Sequence, residues 1–398
     1  MNTNPKYFFF FRSDLRSHVH FFENLCSVAN SNGVPMKLIT FLSPRVYYKQ
    51  YNLVKKYRDK TFRIFISAFP NVSAVFYFFI QSLFTSKLII HVKKRDLTYL
   101  FFLKKILGEK LLLIIDLEGD AKSERDYLLH NPYKSSFYEN ELRSLKEQHY
   151  KEKEIFNKVD KILVLNNNFK ELLLSRYSNL NEKIMVGNIM SFRKGTFMFD
   201  LNSRKKYRKK IGWCNNHIIC YIGNVHYSWQ NISKTIILYK RIKNELYFDS
   251  KLLLLIRKQD HEIAISFLNQ HNINSSDYLL TEVPNSEIIN YMSASDLGVS
   301  LRDFHVMNSI VTSGKLIDYL GCGLPVITTS ILYNIPEVVS EQKFGIVLDD
   351  LDFNKVDMEE VRRVIDYDSV KRELISKWAN NNLSIDSEIG EYLTTIKK

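Results

Sequence analysis

The sequence predicts an α/β fold made of two doubly wound domains, each a parallel sheet with helices on both faces. Short apolar segments alternate with segments of helical periodicity along most of the chain, a pattern typical of repeated βαβ units. The alternation pauses once, in the polar and basic stretch 193–213. The length of 398 residues also suits two domains that each bury their own core.

The first half of the chain predicts seven strands. They are Tyr7–Phe11, Met36–Phe41, Arg63–Ser67, Leu88–Val92, Leu111–Ile115, Lys161–Leu165 and Lys183–Val186. The clearest helical pattern between them is Phe137–Val159, which is rich in Glu and Lys. The uncharged run Ile64–Ser86 is long enough to span a bilayer. Because Pro70-Asn71 interrupts it, we interpret it as a strand, a turn, a helix over Val72–Thr85 and a further strand.

The second half repeats the alternation after a boundary that we place near residue 189. Predicted strands are His217–Ile222, Lys251–Arg257, Tyr278–Leu280, Leu297–Ser300, Val326–Thr329 and Gly345–Val347. Predicted helices are Asn231–Glu245, His261–His271, Asn285–Ala294, Lys315–Gly321 and Val361–Asn380. We therefore expect domains at 1–188 and 189–398, with the option that the last helix packs back on the first domain. Two doubly wound domains imply a ligand cleft between facing carboxyl ends of strands.

The segment "SGKLIDYLGCGLPVITTS", residues 313–330, is the first that points to chemistry. Thr312 or Ser313 can cap a short helix, whose free N–H groups and dipole favour an anion such as a phosphate. Gly314 allows the backbone to approach that ligand, and Lys315 adds positive charge. Asp318 follows one turn later and can accept hydrogen bonds from hydroxyl groups. Composition alone leaves a second interpretation, a well-capped helix–turn–strand unit with no ligand.

Several segments of the sequence together resemble segments of one protein family. They are residues 313–330, "IICYIGNVHYSWQNISKTIILYKRI", "VDKILVLNNNFKELLLSRY" with "KIMVGNI", and "LIIDLEGDAKSERD". Their order and spacing resemble the retaining nucleotide-sugar glycosyltransferases of the GT-B fold, the set called glycosyl transferases group 1 or family 4. The last segment is similar to members that build capsule and other surface polysaccharides. The resemblance covers about residues 85–350 and implies two Rossmann-like domains facing across a cleft.

Two features depart from the family pattern. The family has two glutamates eight positions apart, and here the positions hold Ile310 and Asp318. Isoleucine cannot replace a carboxylate. The glycine-rich loop after the first strand is replaced by "FRSDLRSHVH", which has no glycine.

The resemblance implies donor-binding roles position by position. Asp318 would bind the ribose hydroxyls of a nucleotide, and Ser313, Gly314 and Lys315 would hold its diphosphate. No metal is implied, and no DxD-type pair of acids stands out at a strand end in the second domain.

Further donor-binding positions follow other predicted strands. Gly223 and Asn224 would form the loop where the donor approaches the first strand of the second domain. Arg257 and Lys258, after "LLLLI", would neutralise the pyrophosphate leaving group, although a solvated strand end explains them equally well. Val283 lies where the nucleobase of the family contacts the backbone.

Acidic residues follow the strand "LLLII" in the first domain. Asp116, Glu118 and Asp120 are expected at its carboxyl end. Many family members keep a histidine near this place, and here Glu118 takes about that position, so an acid would position or deprotonate the acceptor hydroxyl. A turn that uses its acids for local hydrogen bonds is the alternative. His91, in the predicted strand "KLIIHV", is a further catalytic candidate, although a lone histidine is more often structural.

The composition of the chain limits the classes of binding partner and the compartment that we expect. The net charge of +13 suits an anionic partner, but no helix-turn-helix, zinc-finger or RNA-recognition signature accompanies it, which argues against nucleic acid. Four scattered cysteines without a CxxC pair fit a reducing cytosol, and the N-terminus lacks the pattern of a signal peptide. The basic, tyrosine-rich stretch 45–63 is a candidate for an anionic membrane surface, with a solvated basic helix as the alternative.

The resemblance therefore implies a cytoplasmic, metal-independent glycosyltransferase. It would move a sugar from a nucleotide-sugar donor to a hydroxyl of a glycan or polyprenol-linked glycan at the inner face of the membrane. That role belongs to the synthesis of capsule, lipopolysaccharide O-antigen or exopolysaccharide. The alternatives are another GT-B enzyme, such as a nucleotide-sugar epimerase or glycosyl phosphotransferase, and an inactive GT-B binding protein.

Overall fold

The computed structural model describes residues 4–11, 19–57, 62–93, 97–131, 138–187 and 191–397. The chain divides into two compact units, neither of which is one continuous segment. The first unit contains residues 1–119, 148–190 and 385–398, and the second contains residues 120–147 and 191–384. The boundary predicted near residue 189 falls outside the described residues.

The sheet of the first unit is parallel throughout the residues described. Its seven strands are β1 (Lys6–Phe10), β2 (Met36–Leu42), β3 (Phe62–Ile66), β4 (Leu88–Lys93), β5 (Leu111–Leu117), β6 (Lys161–Val164) and β7 (Ile184–Val186). Their spatial order is β3-β2-β1-β4-β5-β6-β7. Each strand predicted in the first half is confirmed to within two residues at either end.

Eight helices occur in the described part of the first half of the chain. They are α1 (Val19–Ser31), α2 (Pro44–Lys49), α3 (Tyr51–Tyr57), α4 (Pro70–Leu83), α5 (Thr98–Leu107), α6 (Ala121–His130), α7 (Tyr138–Lys158) and α8 (Asn167–Arg176). The turn predicted at Pro70-Asn71 is instead the first turn of α4, where proline is favoured because the first helical N–H needs no partner within the helix. Within the described residues, no helix combines the length and apolarity that crossing a membrane requires.

The four consecutive phenylalanines of the β1 region build both faces of the first sheet. Phe8 packs against Phe78 of α4, with ring centroids 5.5 Å apart. Phe9 stacks on Phe22 of α1 at 4.2 Å. Since successive side chains of a strand point to opposite faces, α4 lies on one face of the sheet and α1 on the other.

The described strands of the second unit also form a parallel sheet. They are β8 (Ile218–Ile222), β9 (Lys251–Leu255), β10 (Tyr278–Thr281), β11 (Leu297–Ser300), β12 (Val326–Thr329) and β13 (Gly345–Leu348), in the spatial order β10-β9-β8-β11-β12-β13. All six strands predicted in the second half are present. Order reversal beside β8 places the carboxyl ends of β8 and β11 at the topological switch point of this sheet.

The helices of the second half surround this sheet, except for the last two. They are α9 (Leu201–Lys210), α10 (Ile232–Glu245), α11 (His261–Gln270), α12 (Asn285–Ala294), α13 (Val306–Ser309), α14 (Gly314–Gly321), α15 (Ile335–Glu341), α16 (Met358–Ile365), α17 (Ser369–Asn382), α18 (Ile385–Glu388) and α19 (Gly390–Lys397). The single helix predicted over Val361–Asn380 is wrong. It is two helices, because the Asp368 carboxylate accepts from the Lys371 N–H at 2.8 Å and starts α17 anew.

The last two helices belong to the first unit. Tyr392 of α19 is fully buried, and its hydroxyl lies 2.9 Å from Nδ1 of His91 on β4. Ile389 and Tyr392 join the same core cluster as Phe9. The first core is therefore completed by residues from the far end of the sequence.

A buried carboxylate connects helix α9 to the first strand of the second sheet. Asp296 pairs with Arg204 at 2.5 Å and with Arg208 at 3.1 Å, and it accepts from the Ile218 N–H at 2.7 Å. Although burial raises the pKa of Asp296, the two arginines hold it below its ordinary value. The basic run that precedes the second sheet thus anchors α9 to β8 and β11.

Glycines allow α14 to pack closely against its neighbours. A Cβ atom at Gly298 of β11 would lie 2.7 Å from the ring of Tyr319, and one at Gly323 would lie 2.3 Å from the carbonyl oxygen of Arg372 in α17. Gly323 also has φ +66°, in the left-handed region that side chains disfavour. The position of α14 therefore depends on residues without side chains.

We predict that Gly323→Ala lowers the free energy of unfolding of the second unit by about 2–4 kcal/mol, because strain in the left-handed region adds to overpacking. Gly195→Ala is the matched control. Gly195 has φ +83°, but a methyl group added there would have no heavy atom within 4 Å other than those of its chain neighbours, so we expect a loss of only about 1 kcal/mol. Urea unfolding of both variants measures the difference, and equal losses would contradict the close contact at Gly323.

Candidate functional site

The first functional cluster lies where the carboxyl end of β8 meets the start of α14. Gly223 follows β8 with φ +131°, and a Cβ atom there would lie 2.7 Å from Cε of Lys315. Any side chain at residue 223 would therefore displace the lysine. The structure brings these two predicted residues together, although they are far apart in the sequence.

Neutral groups hold the ammonium group of Lys315. Its Nζ donates to the hydroxyl of Tyr221 at 3.1 Å and to Oε1 of Gln230 at 2.5 Å. It also lies 4.4 Å from the centroid of the Tyr221 ring, a distance typical of a cation–π contact. Burial, followed by the charge of Arg302, lowers the pKa of Lys315 well below its ordinary value. An anion bound here would restore the charged form of Lys315.

Arg302 is a second basic residue of this cluster, buried two positions beyond the end of β11. Its guanidinium donates to the carbonyl oxygen of Trp229 at 3.0 Å, and its backbone N–H donates to Thr329 Oγ1 at 3.0 Å. Burial lowers its pKa. Among the residues described, neither Arg302 nor Lys315 forms an ion pair with a carboxylate. Sequence reasoning missed Arg302, whose signal is a charge that directly follows an apolar strand.

Ser313 occupies the N-cap of α14, as predicted, but its side chain does not make the capping hydrogen bond. Its Oγ instead lies 3.3 Å from Oγ of Ser300, at the end of β11. Gly314 follows as the first residue of the helix. Free N–H groups at the start of a helix attract anions, and Lys315 lies in the first turn of this helix.

Asp318 lies one turn into α14 and is partly buried. Within the described residues, its carboxyl group has no hydrogen-bond or ion-pair partner, and burial raises its pKa to about 8. An acid kept unpaired at a cost in stability is typical of functional sites. Ile310 is different, since only 1% of it is exposed and it lies against the core.

The other predicted donor-site residues lie at the same edge of the sheet, but the structure shows no contact between them and Lys315. Arg257 and Lys258 are exposed just beyond β9. Val283 is partly buried against a core cluster of the second unit. The backbone oxygen of Asn224 accepts from the Tyr221 hydroxyl at 2.7 Å, which fixes the loop after Gly223.

An aromatic cluster adjoins Arg302, and sequence reasoning missed it. Trp229 stacks on Tyr227 at 4.3 Å and meets Tyr127 of α6 edge-on at 6.1 Å. The Tyr127 hydroxyl donates to Asp303, which also accepts from Asn231 at 3.0 Å. These contacts join α6 to the loops that follow β8 and β11.

A second cluster, in the first unit, surrounds the end of β5. Lys93 Nζ lies 2.7 Å from Oε1 of Glu118, and Lys93 is the register neighbour of Asp116. Asp116 is 2% exposed, and neither of its carboxyl oxygens has a hydrogen-bond partner among the described residues. Burial first, and then the charge of Glu118, raise the pKa of Asp116. Glu118 is the more exposed acid, with a third of its side chain accessible.

The other two predicted catalytic residues have clear structural roles. The Asp120 carboxylate caps α6 by accepting from the Ser123 N–H at 2.8 Å. His91 is fully enclosed beside Phe9 and Tyr392, and burial lowers its pKa to about 3. A catalytic role for either residue stays a prediction. Within the described residues, no group of three or more His, Cys, Asp or Glu side chains is arranged to hold a metal ion.

We predict that Asp318→Asn stabilises the protein at alkaline pH. The folded-state pKa of about 8 exceeds the ordinary value of 3.8, so the wild type is most stable below about pH 4 and loses stability as the pH rises through about 8. The variant should be more stable than the wild type at pH 8, by up to several kcal/mol because each unit of pKa shift is worth about 1.4 kcal/mol, and nearly equal to it at pH 4.

Thermal unfolding across that pH range measures this difference. Asp350→Asn is the control, because a hydrogen bond from Lys355 lowers the pKa of the exposed Asp350. It should give no gain at pH 8. A gain for Asp318→Asn that does not change with pH would contradict the buried, unpaired carboxyl group.

No family model and no curated protein sequence matches the chain significantly. Solved structures do match. HepE from Anabaena, in complex with UDP and glucose, superposes with a TM-score of 0.66 and 11% identity over 99% of this chain and 100% of HepE. A glycosyltransferase from Rickettsia africae superposes with a TM-score of 0.67 and 13% identity over 100% of this chain and 98% of its own. Sucrose-phosphate synthase from Thermosynechococcus elongatus superposes with a TM-score of 0.63 and 12% identity over 98% of each chain. At such identities the likeness shows the fold, and the chain therefore has the Rossmann-like GT-B fold of these proteins.

Proposed function

We propose that the protein is a glycosyltransferase that moves a sugar from a nucleotide-sugar donor to an acceptor hydroxyl. The observation that carries this proposal is the pair of basic residues, the partly buried Lys315 and the buried Arg302, neither of which forms an ion pair with a carboxylate among the described residues. They lie beside a glycine loop and the start of α14, at the switch point where doubly wound sheets bind ligands. A diphosphate would supply an anionic partner for both side chains.

The chemistry of sugar transfer makes use of such a cluster. Cleavage of the bond between sugar and phosphate leaves negative charge on the departing nucleoside diphosphate. Preorganised cations and N–H groups stabilise that charge most strongly where water is excluded. Lys315 and the backbone of Gly314 are the groups that we assign to the diphosphate. Asp318 is assigned to the ribose hydroxyls, as its unpaired carboxyl group can exchange hydrogen bonds with them.

The solved structures support this choice of donor. HepE has been solved with UDP, with UDP-glucose, and with UDP and glucose, and a further neighbour is a UDP-forming trehalose-phosphate synthase from Burkholderia vietnamiensis. A uridine diphosphate sugar is therefore the first donor to test.

On the acceptor side we assign the base to Glu118. It is more accessible than Asp116, and Lys93 orients it at 2.7 Å. The acceptor that we propose is a glycan or polyprenol-linked glycan at the cytoplasmic face of a membrane, in surface-polysaccharide synthesis. We further propose that the transfer retains the configuration at the anomeric carbon of the sugar and requires no metal ion.

A nucleotide-binding protein without turnover is the second candidate. The observation that favours it is Ile310, because an apolar side chain buried at this position supplies no carboxylate to the donor. Mass spectrometry of a reaction with membrane extract and mixed sugar nucleotides separates the two candidates. A glycosylated product and a released nucleoside diphosphate support transfer, whereas binding without product supports the second candidate.

We predict that Lys315→Met weakens UDP binding at least about tenfold, because it removes a cation from the diphosphate position. Lys209→Met, on the exposed side of α9, is the matched control and should leave the Kd unchanged. Isothermal titration of UDP gives the Kd, and the fitted stoichiometry shows what fraction of the variant is folded and able to bind. Unchanged UDP binding in Lys315→Met would exclude the proposed diphosphate site.

We also predict that Asp318→Ala weakens nucleotide binding more than Glu118→Ala does. Asp318 is assigned to the donor and Glu118 to the acceptor. Glu118→Gln should therefore reduce turnover by about 100-fold or more with little change in the Kd for UDP. The reverse order of the two effects on binding would refute this division of roles.

A further inference from the structure

Helix α4 exposes a continuous apolar stripe. The side chains recur every three or four residues, which places them on one face of the helix. The stripe consists of Phe69 (73% exposed), Val72 (68%), Phe76 (64%), Phe79 (36%) and Leu83 (60%). The opposite face of α4 buries Ala74, Phe78 and Ser82. The stripe is thus a surface additional to the side with which α4 covers the sheet.

Neighbouring residues extend the stripe. Helix α5 packs beside α4 and exposes Phe102 and Ile106, while Ile66 and Phe84 flank the two ends of α4. We call these four residues and the stripe the α4–α5 surface. Single exposed apolar residues are ordinary in soluble proteins, but a large group on adjoining helices marks a binding surface.

The charges around the α4–α5 surface are mainly positive. Residues 64–86 contain no charged side chain. Lys6 Nζ lies 5.8 Å from the centroid of the Phe84 ring. Lys158 Nζ lies 5.3 Å from the centroid of the Phe101 ring on α5, and it also pairs with the Glu154 carboxylate at 2.5 Å. Lys105 is exposed next to Ile106, Lys104 pairs with Asp160 at 2.8 Å, and Glu109 follows just beyond the end of α5. An apolar face with a basic margin is complementary to an anionic lipid surface.

We propose that the α4–α5 surface binds an anionic lipid bilayer, with its phenylalanines in the interfacial region and the surrounding lysines at the lipid head groups. The 14 residues of α4 span about 21 Å, less than the hydrocarbon thickness of about 30 Å, so the helix lies along the bilayer. A second copy of the chain fits less well, because face-to-face pairing brings the lysines of both copies together.

This surface differs from the stretch 45–63 predicted from sequence. Residues 58–61 of that stretch lie outside the described residues. Its helices α2 and α3 contribute Tyr47 and Val54 to the core cluster that contains Phe9, whereas α4 packs on Phe8. Since these two phenylalanines point to opposite faces of the sheet, the two candidate surfaces lie on opposite sides of the first unit.

Vesicle flotation tests the proposal with the full chain. We expect binding to vesicles of phosphatidylcholine with about 30% phosphatidylglycerol, an anionic content that attracts basic surfaces, and weaker binding to phosphatidylcholine alone. Phe76→Ser should weaken binding at least about tenfold, and Lys105→Glu should weaken it only on anionic vesicles. Tyr48→Ser, at a side chain that is 77% exposed on α2, should leave binding unchanged.

Fluorescence gives a readout that does not depend on removing an apolar group. Phe76→Trp should show a blue shift when anionic vesicles are added, and Phe248→Trp, at an exposed site of the second unit, should not. Absence of vesicle binding by the wild type overturns the proposal. So does equal loss in Tyr48→Ser, or a dimer in sedimentation that Phe76→Ser dissociates without any vesicle binding. These experiments measure binding alone, so they can fail independently of the proposed transferase activity.

Discussion

The close approach of α14 to its neighbours, made possible by glycine, is the constraint on which the second unit depends. Gly298 leaves room for the ring of Tyr319 against β11, and Gly323 leaves room for the backbone of α17. Gly223 does the same for Lys315 at the other end of the helix. Because the contacts are made at both ends of one short helix, its first turn has little freedom. The cations and N–H groups of the proposed donor site are therefore held in place before any ligand arrives.

Several polar groups of the proposed donor site are desolvated without an oppositely charged partner that would offset the cost. Desolvation disfavours the charged forms of Lys315 and Arg302, and Asp318 is an acid without a partner in the described structure. Well-packed apolar residues in their places would cost less desolvation. Asp296 is buried as well, but it forms ion pairs with two arginines and accepts a hydrogen bond from a backbone N–H. The difference separates groups that hold the fold from groups that are poised for a ligand.

Much of the fold could be predicted from local pattern, since a buried parallel strand is a short apolar run. The break between α16 and α17 could not, because neither glycine nor proline marks it and the signal is the N-cap at Asp368, which starts α17. In the site, the segment around Asp318 was visible because its glycines and cap are adjacent in sequence. Arg302 and Tyr221 were not, since their role depends on contacts between distant strands. The phenylalanine stripe of α4 was likewise hidden, because sequence does not reveal which face of an apolar helix stays uncovered.

The return of α19 to the first unit has a consequence for the order of synthesis. On the ribosome, residues 1–119 emerge long before Tyr392, whose hydroxyl meets His91 inside their core. The first sheet therefore spends most of translation with part of one face uncovered, while residues 191–384 of the second unit can already pack. A nascent chain stalled before residue 392 should thus expose an apolar, chaperone-accessible sheet face, although its amino-terminal sequence was made first.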